Sequence, residues 1–348
     1  VIVPAFTFVA SAIAVLHQNA IPVFVDIEPQ TWGMNPRLLE AAITPRTRAI
    51  MPVHIHGMPC ELDSILEIAK RRGIPIVEDA CQAPGAQFLG KKVGSFGKAG
   101  AFSLQSSKTL ACGEGGIFVT DEEEVFDRAN RMRMFGENIK TQDGSHYRIE
   151  RALDTDRAYD SVTLGWMYRT NEMSAALARS QLNRLEHWNQ KARQNAEVLS
   201  SRLEGLKGLS TPRTPSDRLG TFHKYRVFMD ALAIGIKASP IRVRNAVLKA
   251  LVAEGVDAVL WQTQAVPGQT LFREKTGSGK GCPWDRASPV DYRLEQFSET
   301  TRLLDSSLCL FSQTYPICAQ STALCEAYGE AFAKVWNRLD EVLGAVDD

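Results

Sequence analysis

The chain has 348 residues, room for about two domains, and its 44% hydrophobic and 23% charged content is that of a globular protein with a full core. Forty basic residues offset forty acidic ones, so no global field favours nucleic acid or an anionic membrane as a partner. Seven scattered cysteines, without a CxxC pair or Cys/His metal spacing, read as free thiols of a reducing, cytoplasmic compartment and give no metal site.

The opening run VIVPAFTFVASAIAVL is apolar, but it has no basic leader and is broken by Pro4, Thr7 and Ser11. It is also too short to span a bilayer. It reads as a strand end, Val1–Pro4, followed by a buried helix. The chain starts without methionine and already inside a folded element, so further residues are expected upstream. PVFVDIE (22–28) is a strand, and PRLLEAAI is a short helix opened by Pro36. TRAIMPVHIHG (47–57) is expected as the next strand, then ELDSILEIAKRRG (61–73) as a helix with Gly73 just past its end. IPIVEDA (74–80), AGAFSLQ (99–105) and GIFVT are further strands. Strands alternating with helices of this length predict an α/β fold with a mostly parallel sheet covered on both faces.

A helix follows over 122–135, then a polar, loop-like stretch over 137–160. Residues 171–203 keep helical periodicity, as one long helix or two in sequence. After the turn-rich 205–220 the pattern changes to a strand in HKYRVFM, a helix near 240–254, an irregular Gly/Pro-rich segment over 262–289, and a last helix over about 320–347. This places a large domain over 1–205 and a smaller α+β domain over 206–348.

Ligands of open α/β sheets bind beyond the carboxyl ends of the strands. There, IPIVEDA delivers Glu78 and Asp79, followed by Gln82; AGAFSLQ delivers Ser103 and, five residues on, Lys108; the first strand delivers Phe6, Thr7 and Phe8. Each is ordinary alone: a helix cap, a core hydroxyl, a packed ring, a solvated loop lysine. Together they suit a phosphorylated aromatic aldehyde, pyridoxal 5′-phosphate. A lysine amine holds it as a Schiff base and later moves protons. A buried carboxylate keeps its ring nitrogen protonated, the role expected of Asp79. A hydroxyl, Ser103, meets the phosphate, and an aromatic face, Phe8, stacks on the ring. His54 and His56 read as structural histidines, Cys81 as a small buried apolar residue, and His223 and Lys224 as either substrate neighbours or a strand edge. Trp261, Phe272 and Trp284 read as satellite core or as the wall of a substrate pocket.

The runs PVFVDIEPQTW, AAITPRTRAIMPVHIHG, IVEDACQAPGA, GKKVGSFG, AFSLQSSKTLACGEGGIFVT and LGWMYRTNEMSAALARSQL, in this order, resemble the DegT/DnrJ/StrS family of fold-type I, vitamin-B6-dependent aminotransferases. The resemblance covers about residues 1–205. It implies transfer of an amino group from glutamate or glutamine to a keto-sugar or keto-cyclitol by a homodimer with active sites at its interface. It also implies Lys108 as the Schiff-base lysine, Asp79 against the pyridine nitrogen, and Gln82 near the phenolic oxygen. Ser103 is implied at the phosphate and Phe8 over the ring. Dehydratases of the same fold carry histidine in place of the lysine, so Lys108 argues for transfer over dehydration. An aromatising enzyme of the cyclitol branch and a catalytically impaired regulatory relative are the other readings. The sequence departs from the family at GWMYR, where Met167 stands in place of the asparagine that reaches the neighbouring subunit's phosphate; a thioether donates no hydrogen bond. The family's Ser-Gly-Thr phosphate loop would precede residue 1.

Overall fold

The apolar runs of the first 120 residues line up into one sheet. A computed structural model describes residues 1–137, 160–286 and 290–345. Strands β1 (Ile2–Pro4) and β2 (Val23–Val25) pair in parallel, with Ile2 opposite Val23. Single parallel bridges then carry the pairing from Ile2 to Ile50, from Ile50 to Ile76 and from Val53 to Asp79. β3 (Val77–Asp79) lies next; a small hairpin, β4 (Gln87–Phe88) and β5 (Lys91–Lys92), stands apart. β6 (Ala99–Ser103) runs parallel to β3, and β7 (Gly116–Val119) closes the edge antiparallel to β6. The sheet is therefore parallel except at its last pair, as expected.

The strand expected over 47–57 is not continuous. It touches its neighbours only at Ile50 and Val53 and ends in a 3₁₀ turn, Ile55–Gly57. Pro52 explains the break: it has no N–H to give a ladder, and only its carbonyl takes part, accepting from Asp79 N–H at 2.9 Å.

Helix α1 (Ala10–Leu16) follows β1. α2 (Pro36–Ala42) starts on Pro36, with the Asn35 side chain accepting from Arg37 N–H at 3.0 Å. α3 (Leu62–Arg72) buries Leu62, Ile65, Ile68 and Ala69 and stops at Gly73, whose φ of 65° is the left-handed conformation glycine adopts most easily. α4 (Glu123–Met132) comes next. The loop expected over 137–160 falls almost wholly outside the described residues. The stretch 171–203 is two helices, α5 (Glu172–Leu182) and α6 (Leu185–Leu203), the first capped by Asn171.

In the C-terminal part, β8 (Leu209–Ser210), β10 (Tyr225–Met229), β12 (Ser307–Leu310) and β11 (Ala258–Val259) form an antiparallel sheet in the order β11-β12-β10-β8. β9 (Arg218–Leu219) leaves it to pair with β4. α7 (Pro240–Ala253), α10 (Thr322–Asn337) and α11 (Leu339–Gly344) cover one face, and the short α8 (Thr270–Arg273) and α9 (Ser298–Asp305) sit at the seam with the larger lobe. Ala192, Ala196, Leu199 and Leu203 of α6 belong to this C-terminal core, although they precede residue 205. Phe272 and Trp284 pack edge-on with Phe24 and Tyr292, so they are core.

Non-local contacts join the two lobes. Asp26, at the end of β2, accepts from Glu299 N–H at 2.8 Å, Thr300 N–H at 2.9 Å and the Thr300 hydroxyl at 2.7 Å, and so caps α9. Arg218 donates to the Pro59 carbonyl at 3.0 Å and to Glu61 at 2.8 Å. Gly57 (φ +86°) accepts from Thr221 N–H at 3.0 Å, and a Cβ there would lie 2.4 Å from Thr221 Oγ1 and 3.0 Å from Phe222 N. Gly57→Ala is therefore expected to cost about 2–4 kcal/mol, from the left-handed backbone and the overlap together. A thermal melt within 1 °C of wild type, where several degrees of loss are expected, would disprove it.

Candidate active site

Asp79 ends β3 at the sheet's carboxyl edge, and its carboxylate is tied down before any ligand arrives. Oδ2 accepts the Ser11 hydroxyl at 2.6 Å, and Oδ1 accepts Cys81 N–H at 3.1 Å. Ser11 spends its one proton on Asp79, so in the 2.7 Å contact with Thr7 it is the Thr7 hydroxyl that donates. This relay runs from the first turn of α1 to the strand end. An ionised carboxylate has about four acceptor positions, so Asp79 keeps capacity for a further donor. Sequence reading named Asp79 and missed Ser11, which lies 68 positions away.

Lys108 stands in the turn after β6, its N–H bonded to the Gln105 carbonyl at 2.9 Å. It is half-buried, and its amine makes no salt bridge among the described residues. Burial lowers its pKa from the ordinary lysine value, and the nearby charges of Cys81 and Asp79 oppose that shift. The Cys81 thiol is pushed far up by burial and by Asp79, so it is a neutral group donating to the Ala101 carbonyl at 3.7 Å. Asp79 is thus the real counter-charge to Lys108.

The other expected residues lie on the elements that carry Asp79, Ser11 and Lys108. Ser103 closes β6, and its hydroxyl oxygen accepts Gln105 N–H at 3.3 Å. Gln82 is buried, with Oε1 accepting from His56 N–H at 2.8 Å. Phe8 leads into α1 and is 53% exposed, an uncovered ring face beside the Thr7–Ser11–Asp79 relay. Met167 is also exposed; Arg169 Nε lies 3.2 Å from its sulfur.

Behind Asp79, Glu78 is fully buried. Oε1 accepts from Phe96 N–H at 2.6 Å and Gly97 N–H at 2.8 Å; Oε2 accepts from Gly94 N–H at 2.7 Å and His54 Nε2–H at 3.1 Å. The His54 tautomer follows from its other nitrogen, which accepts Cys60 N–H at 3.2 Å. His54 is the structural histidine expected.

From the small lobe come His223 and Lys224, both buried rather than on an open strand edge. Burial depresses the pKa of each, and each also feels the positive charge of Lys108. Trp261 lies edge-on to His56 at 4.8 Å between ring centroids and packs against the core cluster of Phe6, Ile55 and Leu303.

A profile of the DegT/DnrJ/EryC1/StrS aminotransferase family matches residues 1–285. The chain belongs to that family. Pyridoxal 5′-phosphate is the cofactor of the DegT/DnrJ/EryC1/StrS enzymes, and the donor set fits it: an amine with lowered basicity, an anchored carboxylate with spare acceptor capacity, and a strand-end hydroxyl. The chain is 36% identical over 286 residues to UDP-N-acetyl-3-dehydro-alpha-D-glucosamine 3-aminotransferase of Acidithiobacillus ferrooxidans, covering 81% of this chain and 68% of that protein. It is 40% identical over 227 residues to L-glutamine:scyllo-inosose aminotransferase of Streptomyces griseus, covering 65% and 52% respectively. The crystal structure of S. venezuelae DesV with a ketimine intermediate superimposes with a TM-score of 0.78 at 29% identity, over 97% of this chain and 78% of that one. The chain spans about half to two thirds of the length of the two named sequence relatives.

Proposed function

We propose that the protein is a pyridoxal-phosphate-dependent aminotransferase moving an amino group from glutamate or glutamine to a keto-sugar, nucleotide-linked or not, or to a keto-cyclitol. The observation that carries this reading is the pairing of Lys108, its amine made less basic by burial, with an Asp79 carboxylate already fixed by Ser11 and Cys81. Transferases acting on a keto-amino-sugar nucleotide and on scyllo-inosose among its relatives support the acceptor class.

When bound, the cofactor supplies an aldehyde carbon that exchanges amines and a cationic ring that draws electrons from the substrate carbon. Lys108 Nζ would hold it and would move a proton at the substrate carbon; lowered basicity favours both tasks. Asp79 holds the proton on the ring nitrogen, with the Ser11 hydroxyl fixing the orientation of its carboxylate. Gln82 would serve the ring's phenolic oxygen, Ser103 the phosphate, and Phe8 a ring face.

We also infer a homodimer with the site at its interface. Ile117 and Phe118 of β7, Phe126 of α4, and Met173 and Leu177 of α5 are exposed apolar residues on the elements following Lys108, and they favour a second copy there. Met167, Arg169 and Phe8, all on exposed surface, would then face the partner. All seven cysteines are free thiols, which favours the cytoplasm. Among the described residues no helix is long and apolar enough to cross a membrane.

Incubation with cofactor, glutamine or glutamate, and a panel of keto-sugars and keto-cyclitols, read by mass spectrometry, tests the activity; no aminated product from any pair overturns it. Asp79→Asn is expected to slow transfer by ~10²–10³-fold. It also removes a charge that keeps the Lys108 amine protonated, so the pH midpoint of cofactor capture should move down. An upward or absent shift in an absorbance titration contradicts the pairing of these residues.

A further inference from the structure

We propose that Gln262 of the smaller lobe is a positioning residue for amine transfer, holding Asp79 in place through Thr7 and Ser11. The proposal rests on the transaminase reading and names what couples the smaller lobe to the carboxylate expected at the cofactor ring.

Gln262 lies just past β11 and holds a left-handed backbone, φ 61°, a cost to a non-glycine residue that concentrates at functional sites. Its side chain crosses the seam: Nε2–H donates to the Thr7 carbonyl at 2.6 Å, 255 positions earlier. Val266 N–H, in the same segment, donates to the Ala5 carbonyl at 3.1 Å. The segment 262–266 of the smaller lobe thus ties down two carbonyls of the chain that leaves β1.

What Gln262 holds leads to Asp79. Thr7 and Ser11 are both buried. The Thr7 hydroxyl gives its proton to Ser11 at 2.7 Å, and Ser11 gives its own to Asp79 Oδ2 at 2.6 Å. Each hydroxyl has a single proton, so the line has one direction, ending on the carboxylate. A hydroxyl that accepts a bond is a stronger donor, so Thr7 strengthens the hold of Ser11 on Asp79. Phe8 directly follows Thr7, so the bond from Gln262 also sets where the ring expected over the cofactor begins. The residue before Gln262 serves the other side. The Trp261 carbonyl accepts from Arg226 Nη2 at 2.6 Å, Arg226 Nε–H donates to His56 Nε2 at 3.2 Å, and His56 N–H donates to Gln82 Oε1 at 2.8 Å. A backbone N–H only donates, so it fixes the Gln82 amide with its oxygen toward His56 and its NH₂ turned away.

Two adjacent residues of the smaller lobe are therefore bonded toward both polar residues expected at the cofactor ring. Other seam contacts lead elsewhere: Asp26 caps α9, and Arg218 grips the Pro59 carbonyl and Glu61. A misplacement of about 1 Å at a reacting centre costs up to ~100-fold in rate, so a relay that holds Asp79 has a measurable effect.

The test compares Gln262→Met, which removes the donor and keeps the length, with Thr300→Val, which removes a hydroxyl bond to Asp26 elsewhere in the seam. In cofactor-loaded protein, Gln262→Met should lower kcat ~10-fold with the KM of the donor little changed, and Ser11→Ala should lower it ~10–100-fold. The double variant should be no slower than Ser11→Ala alone, because Gln262 acts through Ser11. Thr7→Val, which keeps the shape and loses the hydroxyl, should also be slow, and Thr7→Ser should restore the rate. With the cofactor removed, the Cys81 amide, whose N–H donates to Asp79 Oδ1 at 3.1 Å, should exchange its hydrogen ~3–10-fold faster in Gln262→Met and Thr7→Val but not in Thr300→Val. Losses in kcat that multiply in the double variant, or Cys81 exchange at the wild-type rate in Gln262→Met and Thr7→Val, overturn the proposal. So does an equal effect of Thr300→Val on kcat and exchange, because Gln262 would then only fasten the lobes. The two readings fail separately. Faster Cys81 exchange in both variants without any transamination removes the activity and keeps the relay. Amine transfer at an unchanged rate in Gln262→Met and Thr7→Val removes the relay and keeps the activity.

Discussion

Lys108→Ala is expected to abolish amine transfer, by at least ~10⁴-fold, and to leave purified protein without the visible absorbance of covalently held cofactor. The size follows from the double duty assigned to one amine, holding the cofactor and moving a proton at the substrate carbon. Lys108→Arg should fail nearly as badly. It keeps the positive charge, but a guanidinium stays protonated at every working pH and offers no lone pair. That contrast separates a nucleophilic amine from a mere electrostatic one. Neither variant should unfold the protein. The amine has no salt bridge to lose among the described residues, so stability is expected to change by no more than ~1 kcal/mol. An alanine variant that still transfers amines at a tenth of the wild-type rate, with wild-type absorbance, excludes this role for Lys108.

Glu78→Gln is expected to be the most destabilising single change near the site, at about 3–5 kcal/mol. All four acceptor positions of Glu78 are filled, three by backbone N–H groups of the 94–97 loop and one by His54. A glutamine must turn an NH₂ toward two of those donors, leaving them buried and unpaired. Burial pushes the Glu78 pKa up, but the hydrogen bonds from His54, Gly97 and Gly94 outweigh it and hold the carboxyl below its ordinary value of 4.5. The stability it contributes is therefore fully present above that ordinary value and is lost as pH falls through the lower folded-state value. Denaturant melts across that range should show wild type losing stability that the variant, with no carboxyl to protonate, does not lose. Parallel pH profiles for the two proteins refute this account.

The local parts of this molecule were legible in the sequence, and the non-local ones were not. IPIVEDA reads as a buried strand ending in acids, and Lys108 follows a strand by five residues, because a strand's carboxyl end is set by local pattern. Gly73 and Pro36 mark helix ends for equally local reasons. The strand over 47–57 was read too long because its apolar content hid what Pro52 does to a ladder. Ser11 as the partner of Asp79, and Arg226 as the partner of His56 170 positions away, have no periodicity to betray them. Arg226 sits in a run that reads only as a strand.

The Asp26 cap on α9 bears on how the molecule comes apart. The first turn of α9 receives its acceptor from a residue about 270 positions earlier, so the helix cannot be complete while β2 is out of place. Such distant closure is formed late and slowly during folding, and it makes each lobe's fate depend on the other's. The two lobes are therefore expected to melt in one cooperative transition.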